Sequence, residues 1–236
     1  MKFVGDSLKP ATASPVRYYA VAALIILVDQ AVKYFTHTRM LMGPAGEVPI
    51  FGDWFKLHYT LNPGMAFGVE LGSIYGKLIL STFRLFAMAG ISYYLWELWK
   101  RRAPAGLLWS GGLILGGAIG NLIDSLFYGF FYGNAPFGAP MRAFYGQVID
   151  MFYLDLWQGT LPHSWPVVGG TSLALWPIFN VADAAIFCGV TVILLNQQRF
   201  FPHGQLAVEG EELPTSAPEN TPHKIDGSER VETVSP

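Results

Sequence analysis

The stretch LLWSGGLILGGAIGNLIDSLF, residues 107–127, decides the fold, because it is long and apolar enough to cross a membrane. It carries a single ionisable side chain, Asp124. An acid inside such a span costs about 3 kcal/mol on insertion scales, so its presence indicates a function. Three other stretches have a similar length and composition, at 17–35, 78–99 and 176–196. The sequence therefore predicts an all-α membrane protein with four transmembrane helices.

The composition supports a protein that needs an apolar solvent. Of the 236 residues, 52% are hydrophobic and only 14% are charged, whereas soluble domains have about 25% charged residues. The net charge of −2 argues against nucleic acid as a partner. The single cysteine, Cys188, excludes an intrachain disulfide and a cysteine metal cluster. We expect no metal, no other cofactor and a monomeric protein.

The distribution of lysine and arginine predicts the orientation of the spans. Three cations lie at or before the start of the first span, three more join the second and third spans at 100–102, and Arg199 follows the fourth. This bias places both termini in the cytoplasm and two outer loops at about 37–77 and 128–174.

The remaining segments complete the predicted organisation. Residues 1–16 form a cytoplasmic segment, 17–200 form the membrane domain, and 201–236 form a disordered cytoplasmic tail rich in Pro, Glu, Ser and Thr. In the first outer loop, VPIFGDWFKLHYT (48–60) alternates aromatic and β-branched residues around Gly52–Asp53. That pattern predicts a small extracytoplasmic β-sheet.

A second buried acid, Asp183, lies in FNVAD (179–183). Asparagine precedes each acid by three residues, Asn121 before Asp124 and Asn180 before Asp183, and positions i and i+3 share a helix face. At 1.5 Å per residue, Asp124 lies roughly 28 Å along the third span and Asp183 about 9 Å below the outer edge of the fourth. Both acids are therefore predicted near the outer interface.

Two neighbouring carboxyl groups do not both ionise easily, so one acts as a base toward a shared water while the other keeps its proton. The five histidines fall outside the predicted spans and outside HExxH and GxSxG patterns, which weakens the metalloprotease and serine-protease interpretations. A transporter that uses the acids as ion sites and a catalytically inactive binding protein remain alternatives.

Five motifs resemble those of the lipoprotein signal peptidase (signal peptidase II) family, in the order of that family. They are DQAVKYF (29–35), LNPGMAFG (61–68), GGAIGNLID (116–124), VIDMF (148–152) and FNVAD (179–183). The resemblance implies an aspartic endopeptidase of the bacterial inner membrane whose dyad is Asp124 and Asp183. The implied substrate is a diacylglyceryl prolipoprotein, cut just before its lipidated cysteine, and the implied inhibitors are of the globomycin type.

Other motif residues take supporting roles under this interpretation. Asn62 and Gly64 bind substrate backbone from the outer loop, while Asn121 and Asn180 orient the dyad or the substrate. Asp29 and Lys33 are spaced i, i+4 and are predicted to pair on one helix face.

Asp150, in QVIDMFYLD, is the rival for a place in the dyad, and the residues alone leave that choice open. The resemblance implies that Asp150 lies beside the site. The family usually has Arg directly after the third-span acid, where this chain has Ser125. Arg142 is a candidate replacement, and Arg84 in the second span has no predicted role.

Overall fold

The computed structural model describes residues 14–63, 75–160, 162, 164, 170, 172–174 and 176–201. The predicted C-terminal tail beyond residue 201, Gly64 and most of the predicted N-terminal segment lie outside the described residues. The predicted second outer loop is described continuously as far as residue 160 and only in part beyond it.

Long apolar runs form helices because a backbone without water must satisfy its hydrogen bonds internally. α1 is Val16–Arg39, α2 is Gly76–Lys100 and α3 is Ala105–Ile123. A π-helical turn, Asp124–Tyr128, carries α3 into the short α4, Gly129–Phe131. Among the described residues, three continuous helices are long and apolar enough to cross a membrane, and they coincide with the first three predicted spans: Val16–Arg39, Gly76–Lys100 and Ala105–Phe131.

The fourth predicted span, 176–196, is shorter in the structure. Its helix, α5, is Val181–Leu195 and has 15 residues, which gives a length of about 22 Å against a hydrocarbon core of ~30 Å. The helix begins late because Phe179 pairs with Phe152 in a β-bridge and Asn180 caps the first turn. A short helix, α6 (Gln197–Phe200), follows α5.

α3 packs against α1, α2 and α5, and its glycines permit the closest of these contacts. A Cβ atom built on Gly116 would lie 2.8 Å from the carbonyl oxygen of Ala22 in α1. One built on Gly117 would lie 2.3 Å from the carbonyl oxygen of Ala182 in α5. No real side chain fits at these distances, so the two glycines bring the site-bearing helices together.

The small antiparallel sheet extends beyond the predicted first loop. β1 (Val48–Phe51) and β2 (Phe55–Asn62) form the predicted hairpin, and β3 (Val148–Leu154) pairs with the other edge of β2. The prediction of a sheet confined to the first outer loop is therefore corrected. The open edge of β2 pairs with a strand from the second loop. β4 (Gln158–Thr160) and β5 (Ser172–Ala174) form a separate two-stranded sheet.

Adding one methyl group at Gly117 is expected to separate α3 from α5. We predict that Gly117→Ala lowers the stability of the protein in detergent by about 1–3 kcal/mol, because the backbone oxygen of Ala182 has no alternative place. Gly90→Ala on α2 is the matched control, since a Cβ there meets no atom within 4 Å. Thermal unfolding checks both variants, and equal melting temperatures for the two would contradict the packing argument.

Candidate active site

Lys33 on α1 is fully buried and forms the centre of a cluster of charges. Its Nζ lies 2.8 Å from Oδ2 of Asp29 and 2.7 Å from Oδ2 of Asp124, and all three side chains are inaccessible to solvent. It also donates a hydrogen bond of 2.9 Å to Oδ1 of Asn121. The three protons of the ammonium group thus have three oxygen partners. The predicted Asp29–Lys33 pair is confirmed, and Asp124 joins it.

Both carboxylate oxygens of Asp124 have partners. Besides Lys33, its Oδ1 accepts a hydrogen bond of 2.9 Å from Gln30, and its Oδ2 accepts one of 3.4 Å from the backbone N–H of Ile149. Tyr128 in turn donates to Oε1 of Gln30 at 2.9 Å. A carboxylate neutralised by a buried ammonium and surrounded by donors is a poor base toward water. These contacts favour a structural role for Asp124, and we revise its assignment below.

Asp183 lies in the first turn of α5, where its motif forms a capping box. Its backbone N–H donates to Oδ1 of Asn180 at 2.9 Å, and the backbone N–H of Asn180 donates to Oδ2 of Asp183 at 3.3 Å. Asn-x-x-Asp at a helix start satisfies two backbone donors in this reciprocal way. The positive end of the helix dipole also favours the ionised form of an acid here. Asp29 adds a third contact by accepting from the backbone N–H of Ala182 at 3.0 Å.

The two Asn-x-x-Asp sequences therefore have different structures, although their spacing is identical. Asn180 precedes the first turn of α5, whereas Asn121 lies within α3. Asn121 still reaches the other motif, since its Nδ2 donates to Oδ1 of Asp183 at 2.7 Å. Its Oδ1 accepts from Nδ2 of Asn180 at 3.1 Å as well as from Lys33. The amide of Asn121 thus connects the charge cluster to Asp183.

β3 brings Asp150 to the same place. Phe152 donates its backbone N–H to the carbonyl oxygen of Phe179 at 2.8 Å, and Phe179 returns one of 3.0 Å. This bridge holds β3 against the residue that precedes Asn180. The amide of Asn180 then donates to Oδ1 of Asp150 at 2.6 Å, and Asn62 on β2 donates to Oδ2 at 3.0 Å.

Asp150 and Asp183 interact electrostatically across Asn180. Burial, and to a lesser extent the negative charge of Asp183, raise the pKa of Asp150 to about 7 against the opposing effect of the hydrogen bonds from Asn62 and Asn180. Asp150 is only 1% exposed. A carboxyl with that pKa is largely protonated below neutral pH.

One hydrogen-bonded network thus contains every predicted site residue that is described; Gly64 lies outside the described residues. The sequence analysis missed Gln30 and Tyr128, although Gln30 falls within DQAVKYF. It noted Arg84 without a role, but Nη1 of Arg84 donates to Oγ of Ser125 at 3.3 Å. Arg142, the predicted replacement at that position, lines a separate cavity of about 240 Å³ formed by 129–142.

Comparison with known proteins gives consistent matches over most of the chain. The family model described as "Signal peptidase (SPase) II" matches residues 21–199. A lipoprotein signal peptidase of Amoebophilus asiaticus (strain 5a2) is 44% identical over 210 residues, which are 89% of this chain and 89% of the relative. One from Porphyromonas gingivalis (strain ATCC BAA-308 / W83) is 40% identical over 193 residues, 76% of this chain and 83% of the relative.

A solved structure supports the fold independently. It is described as a bacterial membrane enzyme determined by the in meso method, and it superposes with a TM-score of 0.53. The match covers 81% of this chain and 92% of the other at 20% sequence identity. At 20% sequence identity, this match shows that the two chains share a fold.

Removing the Lys33 ammonium is expected to destabilise the protein strongly. We predict that Lys33→Met costs about 3–5 kcal/mol, because Asp29 and Asp124 then remain buried without a cation. The double variant Lys33→Met/Asp124→Asn should recover part of that loss, since it removes one of the two uncompensated charges. Thermal unfolding in detergent measures the effect. Equal melting temperatures for the single variant and the wild type would contradict the ion-pair assignment.

Proposed function

The chain belongs to the signal peptidase II family, and from that premise we propose that it removes the signal peptide from diacylglyceryl prolipoproteins, with Asp150 and Asp183 activating the water. The cut falls just before the lipidated cysteine. The observation that carries the choice of dyad is the contact of Asn180 with both acids, through a 2.6 Å hydrogen bond to Asp150 and a capping box with Asp183. Asp124 is instead paired with Lys33.

The two acids take different roles because their surroundings differ. The raised pKa of Asp150, about 7, suits the group that holds a proton and donates a hydrogen bond to the scissile carbonyl. Asp183 accepts donors from Asn121 and from the start of α5, which suits the ionised base. This division needs no covalent intermediate.

Hydrolysis then follows in two steps. Asp183 takes a proton from water as the water oxygen bonds to the scissile carbon, while the proton of Asp150 passes to the carbonyl oxygen to give a neutral tetrahedral species. The carbon–nitrogen bond next breaks as Asp183 returns its proton to the leaving amine. The hydroxyl group that formed from the carbonyl oxygen returns its proton to Asp150 as the carbonyl forms again. Both acids thereby recover their starting protonation states.

The supporting residues hold this pair in place. Asn62 and Asn180 fix the two oxygens of Asp150, and Asn121 fixes Asp183. The Asp29–Lys33–Asp124 cluster joins α1 to α3 and, through the backbone of Ala182, to α5. Gly64 keeps its predicted role in binding substrate backbone, next to Asn62 in sequence.

The substrate reaches this site from the lipid. The positive-inside distribution of lysine and arginine orients the chain in the inner membrane with both termini in the cytoplasm and the acids near the outer face. Phe51 at the end of β1 and Trp54 in the turn that follows are exposed, and Trp is typical of a membrane–water interface. A globomycin-type inhibitor would occupy the same lipid-accessible cleft, and the catalytic unit is a monomer.

Substitution of the acids distinguishes this dyad from the one predicted by sequence. We expect Asp150→Asn and Asp183→Asn each to lower cleavage of a diacylglyceryl prolipoprotein by at least about 10³-fold, because base or acid catalysis is lost. Asp124→Asn should keep measurable cleavage and chiefly lower the melting temperature. Asp155→Asn, directly after the far end of β3 and paired with Lys56, is the control with unchanged cleavage.

Cleavage by purified protein measures these effects. Abolished cleavage in folded Asp124→Asn together with active Asp150→Asn would contradict the revised dyad. Unchanged cleavage in both Asp150→Asn and Asp183→Asn would contradict the aspartic mechanism altogether.

The pH dependence follows from the protonated role of Asp150. Its pKa is raised to about 7, so the active, protonated form is present below that value and is lost as the pH rises through it. We therefore expect kcat/KM to fall about tenfold per pH unit above about 7. A pH–rate profile of the wild type checks this. A profile that stays flat for about two units above that pKa would exclude a protonated Asp150.

A further inference from the structure

The carboxyl groups around the site outnumber the cations that contact them. Asp29, Asp124, Asp150 and Asp183 contribute four carboxyl groups to one network, and among the described residues the ion pairs with them are those of Lys33. The Lys33 ammonium is already shared between two carboxylates at 2.8 and 2.7 Å. The α1–α3 cluster therefore has a net charge of −1 when all three groups are ionised, so it adds no net positive charge beside Asp183.

A stripe of polar residues on α2 faces the site. Lys77, Ser81 and Arg84 are spaced i, i+4 and i+7, so they share one helix face. Lys77 donates to the carbonyl oxygen of Pro63 at 2.7 Å, and Ser81 donates to that of Phe144 at 2.9 Å. Apart from Thr82, the rest of this part of α2 is apolar and includes the exposed Ile79, Phe83 and Phe86.

Arg84 is the member of this stripe that lies deepest in the predicted span. It is eight positions after Gly76, or about 12 Å along α2. A cation at such a depth is expensive unless an anion or a polar group compensates it. An arginine with no functional partner would not be expected at this position.

The contacts of Arg84 lead through Ser125 to Asn121, the residue of α3 that contacts Asp183 in α5. Nη1 of Arg84 donates to Oγ of Ser125 at 3.3 Å, and Ser125 donates to the carbonyl oxygen of Asn121 at 3.1 Å. The side chain of Asn121 then donates to Asp183 at 2.7 Å. The guanidinium also interacts favourably with the charge of Asp183.

We propose that Arg84 is a positioning residue that keeps Asp183 ionised, and so assigns the base to Asp183 and the acid to Asp150. This inference rests on the proposed function. It adds a cause for the difference in protonation between Asp150 and Asp183. The charged groups that act on Asp183 are Asp29 and Lys33 from α1, Arg84 from α2 and Asp150 from β3. Lys33 also attracts the charge of Asp183, but its ammonium is shared between Asp29 and Asp124.

The direct test is the acidic limb of the pH–rate profile, which reports protonation of the base. We expect Arg84→Gln to move the limb of kcat/KM upward by about one pH unit, because a nearby positive charge no longer favours the carboxylate. Arg84→Lys keeps the charge and should return the limb to within about half a unit of the wild type. Lys100→Gln, at the other end of α2 and paired with Glu97 on the surface, is the matched control and should leave the profile unchanged.

Melting temperatures provide a second test, which applies even if the Arg84→Gln variant is too unstable for kinetics. If Arg84 compensates Asp183, then Arg84→Gln/Asp183→Asn should melt at a higher temperature than Arg84→Gln alone, because the uncompensated charge is gone. An Arg84→Gln limb that coincides with the wild type, or a double variant without such recovery, would overturn the inference. Cleavage by Asp183→Asn is assayed in parallel, and its persistence would instead overturn the proposed function.

Discussion

The side-chain amide of Asn180 is the contact on which the arrangement of the site depends. Its oxygen caps α5 and so fixes the backbone of Asp183, while its nitrogen donates to Asp150 at 2.6 Å. Asn180 thereby contacts both Asp150 and Asp183, which lie on different elements. Because burial makes simultaneous ionisation of both costly, this geometry suits the proposed division into an acid and a base.

Two other aspartates of the network, Asp29 and Asp124, form buried ion pairs. Asp29 and Asp124 contact the ammonium of Lys33 and lie fully buried between helices. Such an ion pair is weak as a source of net stability, but loss of one partner is severe, so it enforces one arrangement of α1, α3 and α5. The glycines of α3 act in the same direction by allowing backbones to touch. The rigid cluster and the reactive pair thus occupy adjacent layers of one network.

The sequence predicted the parts of this architecture that local patterns determine. Apolar length placed the helices, and the i, i+4 spacing of Asp29 and Lys33 predicted their contact. Identical Asn-x-x-Asp spacing could not reveal that Asn180 is a helix cap whereas Asn121 lies inside a helix. The position of Asp150 depends on the pairing of β2 with β3 and on the bridge from Phe152 to Phe179, which are long-range contacts with no local signal. For that reason the residues alone leave the choice between Asp124 and Asp150 open.

In the proposed mechanism Asp150, and not Asp124, holds a proton beside an ionised Asp183. Infrared difference spectroscopy of the carboxyl groups tests it most directly, at about pH 6, below the raised pKa of Asp150. The account predicts a protonated carboxyl band in the wild type that persists in Asp124→Asn and disappears in Asp150→Asn. A band that disappears in Asp124→Asn and persists in Asp150→Asn would contradict it.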